Sequence, residues 1–462
     1  MKVLCLTTTL AVAAMAVANF SKEERLRAMS YWNEPGRYRV GAPAAAAKDG
    51  PWQVRLTPEG STWLWNYNQA RGLAKGPPTA DAPPLSEEQK SWEAWIDRKV
   101  ARDRWLAGVA AARANSEALG RVFPEPAPIP EDPGPIPDGL YKLAGNPPPF
   151  AGAVAPMQHT IRFDDGVELS YSDNVPMRVR YAYYRFPKGV MSAGAAVRSL
   201  PAAELDRLFT KAGVTPPEAR VMRSVSLLEG GFDSVNTYDT GFVSVGFIQF
   251  ACLKDGAGSL GSLLLKMKSQ TPQAFQEDFK RFGLDVSPEG ALVALDLSTG
   301  VETIGADAAQ TIIADKRLIA VFQRAGLKSE PFRVAQIAVA KEQYYPADDV
   351  VPVAFGSNIV LVKVRDVVRS EAGMSTLMDR KVNTGKIDLL AAVLSEIVAE
   401  NRLRDPKELA RFEHDIIVAM RFRKDYLADA SLSQPPARVH PARVYSGSTL
   451  SRSGGRGSRG GG

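Results

Sequence analysis

The stretch Glu229-Gly-Gly-Phe-Asp-Ser-Val-Asn236-Thr-Tyr238-Asp239-Thr-Gly-Phe-Val-Ser244-Val-Gly-Phe-Ile-Gln249-Phe250 holds the residues whose types and order suit chemistry. An apolar, helix-like run ends on a carboxylate, Glu229, and two glycines stop it there. A polar turn then carries a second carboxylate, Asp239, before an alternating run that includes Ser244 and Gln249. An acid at the C-terminal end of a helix meets partial negative charge from the last carbonyls. That field, with burial, favours the protonated form, which is what a general acid needs to cleave a glycosidic bond. Asp239, if ionised across a cleft, would position water or stabilise an oxocarbenium-like centre, and Ser244 would help hold that water. If Asp239 points away, Glu229 alone would act first as acid and then as base. Asn236, Tyr238 and Gln249 are candidate hydrogen-bonding partners of the substrate or of the hairpin itself.

This stretch resembles the catalytic region of the lysozyme-like superfamily. In phage-type lysozymes a glutamate at a helix end is followed by an aspartate and then a threonine in the first strand of a small β-lobe; Glu229, Asp239 and Ser244 take those places. Glu229, Phe232 and Ser244-Val-Gly246-Phe-Ile-Gln249 are also similar to the motif of the soluble lytic transglycosylases, and chitosanases share a related Asp-x-Gly and Gly-Phe hairpin. The phage-type Gly-x-Gly-His ending is absent, and serine replaces the threonine. The likeness is close over residues 229–250 and extends in general layout over 200–425. It implies a two-lobed domain with a small β-hairpin lobe that cleaves β-1,4 bonds of peptidoglycan or a related amino-sugar polymer. Hydrolysis of the muramidase type comes first, with a transglycosylase giving 1,6-anhydro products, a chitosanase-like hydrolase, or a non-catalytic wall-binding protein as alternatives. It also implies that a later helix carrying Asp379, Arg380 and Asn383 faces the cleft and contacts sugar or peptide. A capped surface helix is the competing reading of those three.

The elements that must position these residues read as an α+β, mainly helical chain. Thr215 as N-cap, Pro216 at the first helical position and Glu218 as the third residue of a capping box start the helix that runs to Glu229. Two apolar runs, His159–Phe163 and Val167–Tyr171, flank Asp165-Gly166 and predict a hairpin; Arg178–Phe186 reads as a third strand. Further helices are expected near 259–269, 272–282, 305–325, 331–345, 372–382, 386–401 and 406–427, with a hairpin at 291–296 and a strand at 358–364.

At 462 residues the chain is long enough for two or three domains. All seven tryptophans lie between Trp32 and Trp105, and the helical spacing of Trp92, Trp95, Ile96 and Val100 predicts a Trp-rich helical module over 19–120. Sugar stacking by these rings is the functional alternative to core filling. Ten prolines between Phe123 and Phe150 read as an extended linker over 121–150, and the lysozyme-like domain follows over 151–430 with a β-rich lead-in at 157–188. The Pro/Arg/Ser/Gly tail, 431–462, has no means of burying a core.

Met1-Lys2, an Ala-rich apolar run and Ala16-Val17-Ala18 make a secretory signal over 1–18, too short for a membrane span and implying a periplasmic or secreted protein. No integral membrane segment is expected once it is removed. A net charge of +6 permits contact with anionic polymers without demanding it; no nucleic-acid partner is expected, although the arginine-bearing tail is the one feature that would suit one. After signal removal one cysteine remains, Cys252, so no internal disulfide is possible and a buried thiol is expected. Three scattered histidines offer no metal-ligand cluster. Gly256-Ala-Gly-Ser-Leu-Gly261 matches GxGxxG but has no βαβ unit around it, so it reads as a turn rather than a nucleotide loop. No cofactor is expected.

Overall fold

The computed structural model describes residues 18–41, 50–73, 85–173 and 179–437. Residues 1–17 of the expected signal over 1–18, and the tail beyond 437, lie outside the described residues. About 51% of the described residues are helical, with small antiparallel sheets, so the mainly helical α+β expectation holds at that level.

The N-terminal part does not divide where the tryptophans suggested. Helix α1 (Lys22–Asn33) leads into β1 (Tyr38–Gly41), and after β2 (Gln53–Leu56) come α2 (Pro58–Ala70) and the long α3 (Glu87–Leu119). Trp63, Trp92 and Trp95 fill a small core with Tyr67, Leu140 and Phe150, as the helical spacing predicts. Trp32, however, belongs to the main core, where its ring meets Phe163 and Phe282 edge-on or tilted and its Nε1 donates to Phe282 O at 2.9 Å.

The proline-rich stretch is packed rather than a spacer. The indole nitrogens of Trp95 and Trp105 donate to Gly134 O and Ala127 O, which holds the extended chain along α3. It then forms α4 (Asp138–Ala144) and β3 (Ala151–Val154), and β3 pairs with β2. Proline excludes helix and central strand, but it leaves carbonyls free to accept, and the tryptophans use them.

The expected hairpin forms as β4 (Gln158–Arg162) and β5 (Glu168–Ser172), with Gly166 at φ +83° in its turn. The third strand of this sheet is β1, not Arg178–Phe186. Residues 179–186 run as turns with a single bridge between Tyr184 and Asp239. Arg180, at φ +60°, is drawn instead to Glu93 and Asp97 of α3.

The remaining elements surround the main core. Strand β6 (Met191–Ser192) and helices α5 (Ala202–Lys211) and α6 (Pro216–Ser226) come first. Three two-residue strands follow, β7 (Val235–Asn236), β8 (Ser244–Val245) and β9 (Phe250–Ala251), and β6 to β9 form one sheet in that order. Next are α7 (Gly258–Gln270), α8 (Pro272–Asp278) and the sheet of β10 (Leu284–Val286), β11 (Leu292–Leu295) and β12 (Glu302–Ile304). One helix was expected over 305–325; there are two, α9 (Ala306–Ala314) and α10 (Lys316–Lys328), because Asp315 leaves helical geometry and its carboxylate caps Arg317 N–H. Helix α10 is buried almost all round from Leu318 to Gly326, as a central helix must be. Then come α11 (Glu330–Tyr344), the hairpin of β13 (Val350–Phe355) and β14 (Asn358–Lys363), α12 (Val364–Val367), α13 (Glu371–Thr384), α14 (Leu389–Asn401) and α15 (Glu413–Met420).

The GxGxxG glycines serve close backbone packing. A Cβ at Gly261 would lie 1.8 Å from Gly290 O, and one at Gly256 2.0 Å from Gly305 O. Among the described residues no helix is long and apolar enough to cross a membrane.

Candidate active site

Helix α6 begins as its sequence dictates, with Thr215 N–H donating to the Glu218 carboxylate at 2.8 Å. It ends at Ser226, and Leu227–Glu229 form the closing turn, where the Glu229 N–H still donates to Ser226 O at 3.0 Å. Glu229 therefore lies just past the helix C-terminus, beside its last carbonyls. Only 11% of its side chain is exposed, and this burial raises its pKa above the usual carboxylate value. Gly230 and Gly231 carry the chain away tightly: Gly230 has φ +148°, and a Cβ at Gly231 would sit 1.9 Å from Ala195 O.

Helix α13 packs along α6 and places Asp379, with no exposure at all, next to Glu229. Arg423 joins the two. Its Nη2 lies 2.5 Å from Glu229 Oε1 and 2.5 Å from Asp379 Oδ1, while its Nε and its backbone N–H also donate to Asp379, at 2.8 and 3.3 Å. The two partners pull on Glu229 in opposite directions. Arg423 favours its ionised form, whereas burial and the like charge of Asp379 favour the proton. One cation cannot neutralise two carboxylates. Asp379 has the larger share of the guanidinium and also receives Asn383 Nδ2, at 3.3 Å. Glu229 is thus the carboxyl whose proton is held more readily than in an ordinary glutamate.

Tyr426 is fully buried within electrostatic range of all three charged groups, and its hydroxyl has no hydrogen-bond partner among the described residues. Tyr344 feels the Glu229 charge and is hydrogen-bonded to Ser259, whose Oγ accepts from Ala251 N–H at 3.0 Å. Ala251 stands opposite Ser244 across β8 and β9. Tyr344 and Ser259 are therefore the link between the Glu229 side of the site and the hairpin side.

On the hairpin side, β7 and β8 pair Asn236 with Ser244 and leave Asp239 in the turn between them. Both Asp239 oxygens are engaged: Oδ1 accepts from Gly241 N–H and Oδ2 from Asn236 Nδ2, each at 2.9 Å, and Tyr181 adds a further hydrogen bond. Burial nonetheless pushes this carboxyl above the usual range. A Cβ at Gly241 would lie 2.5 Å from Ser244 Oγ and 3.1 Å from Asp239 Oδ1, so the glycine lets both groups border one small space. Tyr181 belongs to a group of half-buried aromatic residues with Tyr183, Tyr238 and Trp65, the last contributed by α2. Arg185 lies over the Trp65 ring and within electrostatic range of Asp239.

Several expected roles change. Arg380 donates from Nε and Nη2 to Met420 O and Arg421 O, where it caps the end of α15. Gln249, at φ +56°, spends its amide on Ser234 Oγ (2.6 Å) and Gly246 O (3.0 Å), bracing the hairpin. Asn236 orders the turn, since its Oδ1 also accepts from Tyr238 N–H at 3.2 Å. Of the residues expected on the later helix, Asp379 and Asn383 are at the site, and Asn383 hydrogen-bonds both Asp379 and Glu229. Cys252 is buried, its thiol pushed up to about 11.

Sequence reasoning missed Arg423, Tyr426, Tyr344, Tyr181 and Arg185. Arg423 had been placed on a helix over 406–427, but α15 ends at Met420 and the chain continues without helix to Asp425. Helical periodicity carries no signal for a residue that reaches its partner from such a loop.

A cavity of about 770 Å³ opens elsewhere, between the start of α6, α11 and the N-terminal half of α13, and does not include Glu229 or Asp239. Two ion pairs lie within its lining, Lys341 with Glu218 at 2.8 Å and Arg365 with Asp348. Space alone does not outweigh the perturbed acids at the other site. Among the described residues no group of three or more His, Cys, Asp or Glu could hold a metal ion. Comparison with protein-family models, with curated proteins and with solved structures found no match to this chain, so any functional reading rests on the geometry above.

Proposed function

We propose that this chain is an exported glycosidase that cleaves β-1,4 bonds in peptidoglycan or a related amino-sugar polymer, with Glu229 as the proton donor. The observation that carries the reading is the state of Glu229. It is a nearly buried carboxyl whose cationic partner, Arg423, is shared with a second, fully buried carboxylate, and burial raises its pKa above the usual carboxylate value, the direction a proton donor needs. Glu229 would protonate the glycosidic oxygen as the bond from it to the anomeric carbon breaks. In the muramidase-type reaction, water held near Ser244 and Asp239 would attack the oxocarbenium-like centre, and the leaving sugar would depart as an alcohol.

One observation favours a second outcome at the same acid. Asp239 has both oxygens committed to its own turn and to Tyr181, and burial disfavours its ionised form. A carboxyl so occupied is a weak base for water. Glu229 would then act as acid and afterwards as base toward the 6-hydroxyl of the same muramyl residue, giving a 1,6-anhydro end.

Both outcomes require Glu229. Replacing it, Glu229→Gln, in the full chain should abolish release of soluble fragments from purified cell walls while leaving the thermal unfolding transition in place. Turnover retained by Glu229→Gln would sink the mechanism. Wall binding without fragments from either protein would identify a non-catalytic binder. Mass spectrometry of the products separates reducing ends from 1,6-anhydro ends.

A further inference from the structure

Glu302 on β12 gathers an unusual set of donors for a single carboxylate. Its Oε1 accepts from the Asn19 backbone nitrogen at 3.1 Å and from Asn19 Nδ2 at 2.8 Å; its Oε2 accepts from the Phe20 N–H at 3.1 Å and from Arg25 Nη2 at 3.2 Å. The Glu302 side chain is 10% exposed, and Phe20 is 1% exposed, its ring inserted in the main core. Ala18, one residue earlier, is exposed. Immediately after Phe20, Ser21 caps α1, exchanging hydrogen bonds with Glu24. The chain is thus seated atom by atom from Asn19 onward. Residues Ala16-Val17-Ala18, small at the first and third positions before Asn19, are what a leader-cleaving peptidase requires.

We infer that Glu302 is a built receptor for a new N-terminus: cleavage between Ala18 and Asn19 leaves an α-ammonium on Asn19 that Glu302 binds. In the cleavage, the oxygen of water bonds to the Ala18 carbonyl carbon and the C–N bond to Asn19 breaks. The nitrogen takes up protons to become the ammonium, and the leader departs with a terminal carboxylate. The nitrogen already lies at hydrogen-bond distance from Glu302, so processing converts a neutral amide donor into a charged one without moving the chain. The amide of the Asn19 side chain reaches the same oxygen, so the pocket reads the residue as well as the terminus. The inference goes beyond the glycosidase reading and does not depend on it.

The other charged groups facing this point are Arg25 and Glu24 on α1, and Lys280, which pairs with Glu24 at 2.9 Å and lies 3.7 Å from Asp285. Arg25 already holds Glu302, so the gain for the ammonium is partial. An opposite charge at this distance should raise the α-amine pKa by about one unit above its ordinary value near 8, a tenfold change in proton affinity. A group raised on folding adds stability below its unfolded pKa, and that stability is lost as pH rises through the folded value.

The test begins with the full chain expressed in an exporting bacterial host and N-terminal sequencing of the purified protein. A mature terminus at Asn19 is expected; a terminus elsewhere overturns the inference. Residues 19–462 with a free Asn19 amine are then compared with the same chain bearing one extra glycine before Asn19, a variant that removes no side chain. The free-amine protein should melt higher at pH 7, the difference should vanish by pH 10, and it should vanish at both pH values in the Glu302→Gln background. An α-amine pKa within a few tenths of about 8, or equal melting of the two forms at pH 7, would refute the ion pair even if cleavage occurs where expected.

Discussion

Asp379→Asn should make Glu229 a weaker retainer of its proton, and so move the alkaline limb of the activity profile to lower pH. The substitution removes the like charge beside Glu229 and leaves Arg423 with one carboxylate instead of two. The oxygens of Glu229 and Asp379 that share Nη2 each lie 2.5 Å from it, which puts them within about 5 Å of one another. Two unit charges about 5 Å apart interact by about 3 kcal/mol at an effective dielectric of ~20. That is equivalent to a little over two pKa units, and relaxation around a partly solvated guanidinium brings the expected shift to about one. Arg423→Met is the complementary change. It removes the cation that the two carboxylates share, so Glu229 should hold its proton to higher pH and the alkaline limb should move upward. It should also cost about 3–5 kcal/mol of stability at pH 7, because Asp379 is left buried and unpaired. The assay is the pH dependence of kcat/KM on purified cell wall, with urea unfolding of each variant as the control for folding. Limbs that move in the same direction, or do not move, would refute the assignment of the proton to Glu229.

The remaining predictions concern the supports of the site. Gly246→Ala places a Cβ 2.2 Å from Gln336 Oε1 at φ +84°; since Gln336 holds Phe247 N–H and Phe232 O, the loss should be about 2–4 kcal/mol in urea unfolding. Tyr181→Phe removes a hydrogen bond that favours ionised Asp239, so the acid limb of the pH profile should move upward if Asp239 must be ionised and stay in place if Glu229 acts alone. Lys316 is 1% exposed, and burial brings its pKa down to about 8. Between that value and the unfolded one, near 10.4, the unfolded chain binds more protons, so stability should rise with pH across this window. Lys316→Met should abolish the rise, measured as the difference in urea midpoint between pH 8 and pH 10.

Local rules accounted for a good part of the architecture. The capped start of α6 and the hairpin around Asp165-Gly166 depend on contacts only a few residues apart, and they formed as read; α6 itself stops at Ser226, short of the expected end at Glu229. The same holds for the turn that Asp239 and Asn236 make between β7 and β8. Where periodicity was extended across a break, it failed: Asp315 split one expected helix by capping the second, and Arg380 ended α15 by reaching its last carbonyls from α13. Proline composition was a poor guide to spacing, because the indoles of Trp95 and Trp105 bind the carbonyls that prolines leave free.

The sequence by itself determined that a carboxyl would stand at the end of a short capped helix, with a second carboxyl in an ordered turn ten positions later. These are properties of neighbours in the chain, and local backbone geometry enforces them. Only the tertiary structure decided what the first carboxyl would do. Its proton affinity depends on Asp379 and Arg423, 150 and 194 positions away in the chain, and on how their single positive charge is divided. Electrostatic energy depends on distance and solvent exposure in space, and neither is written in spacing along the sequence.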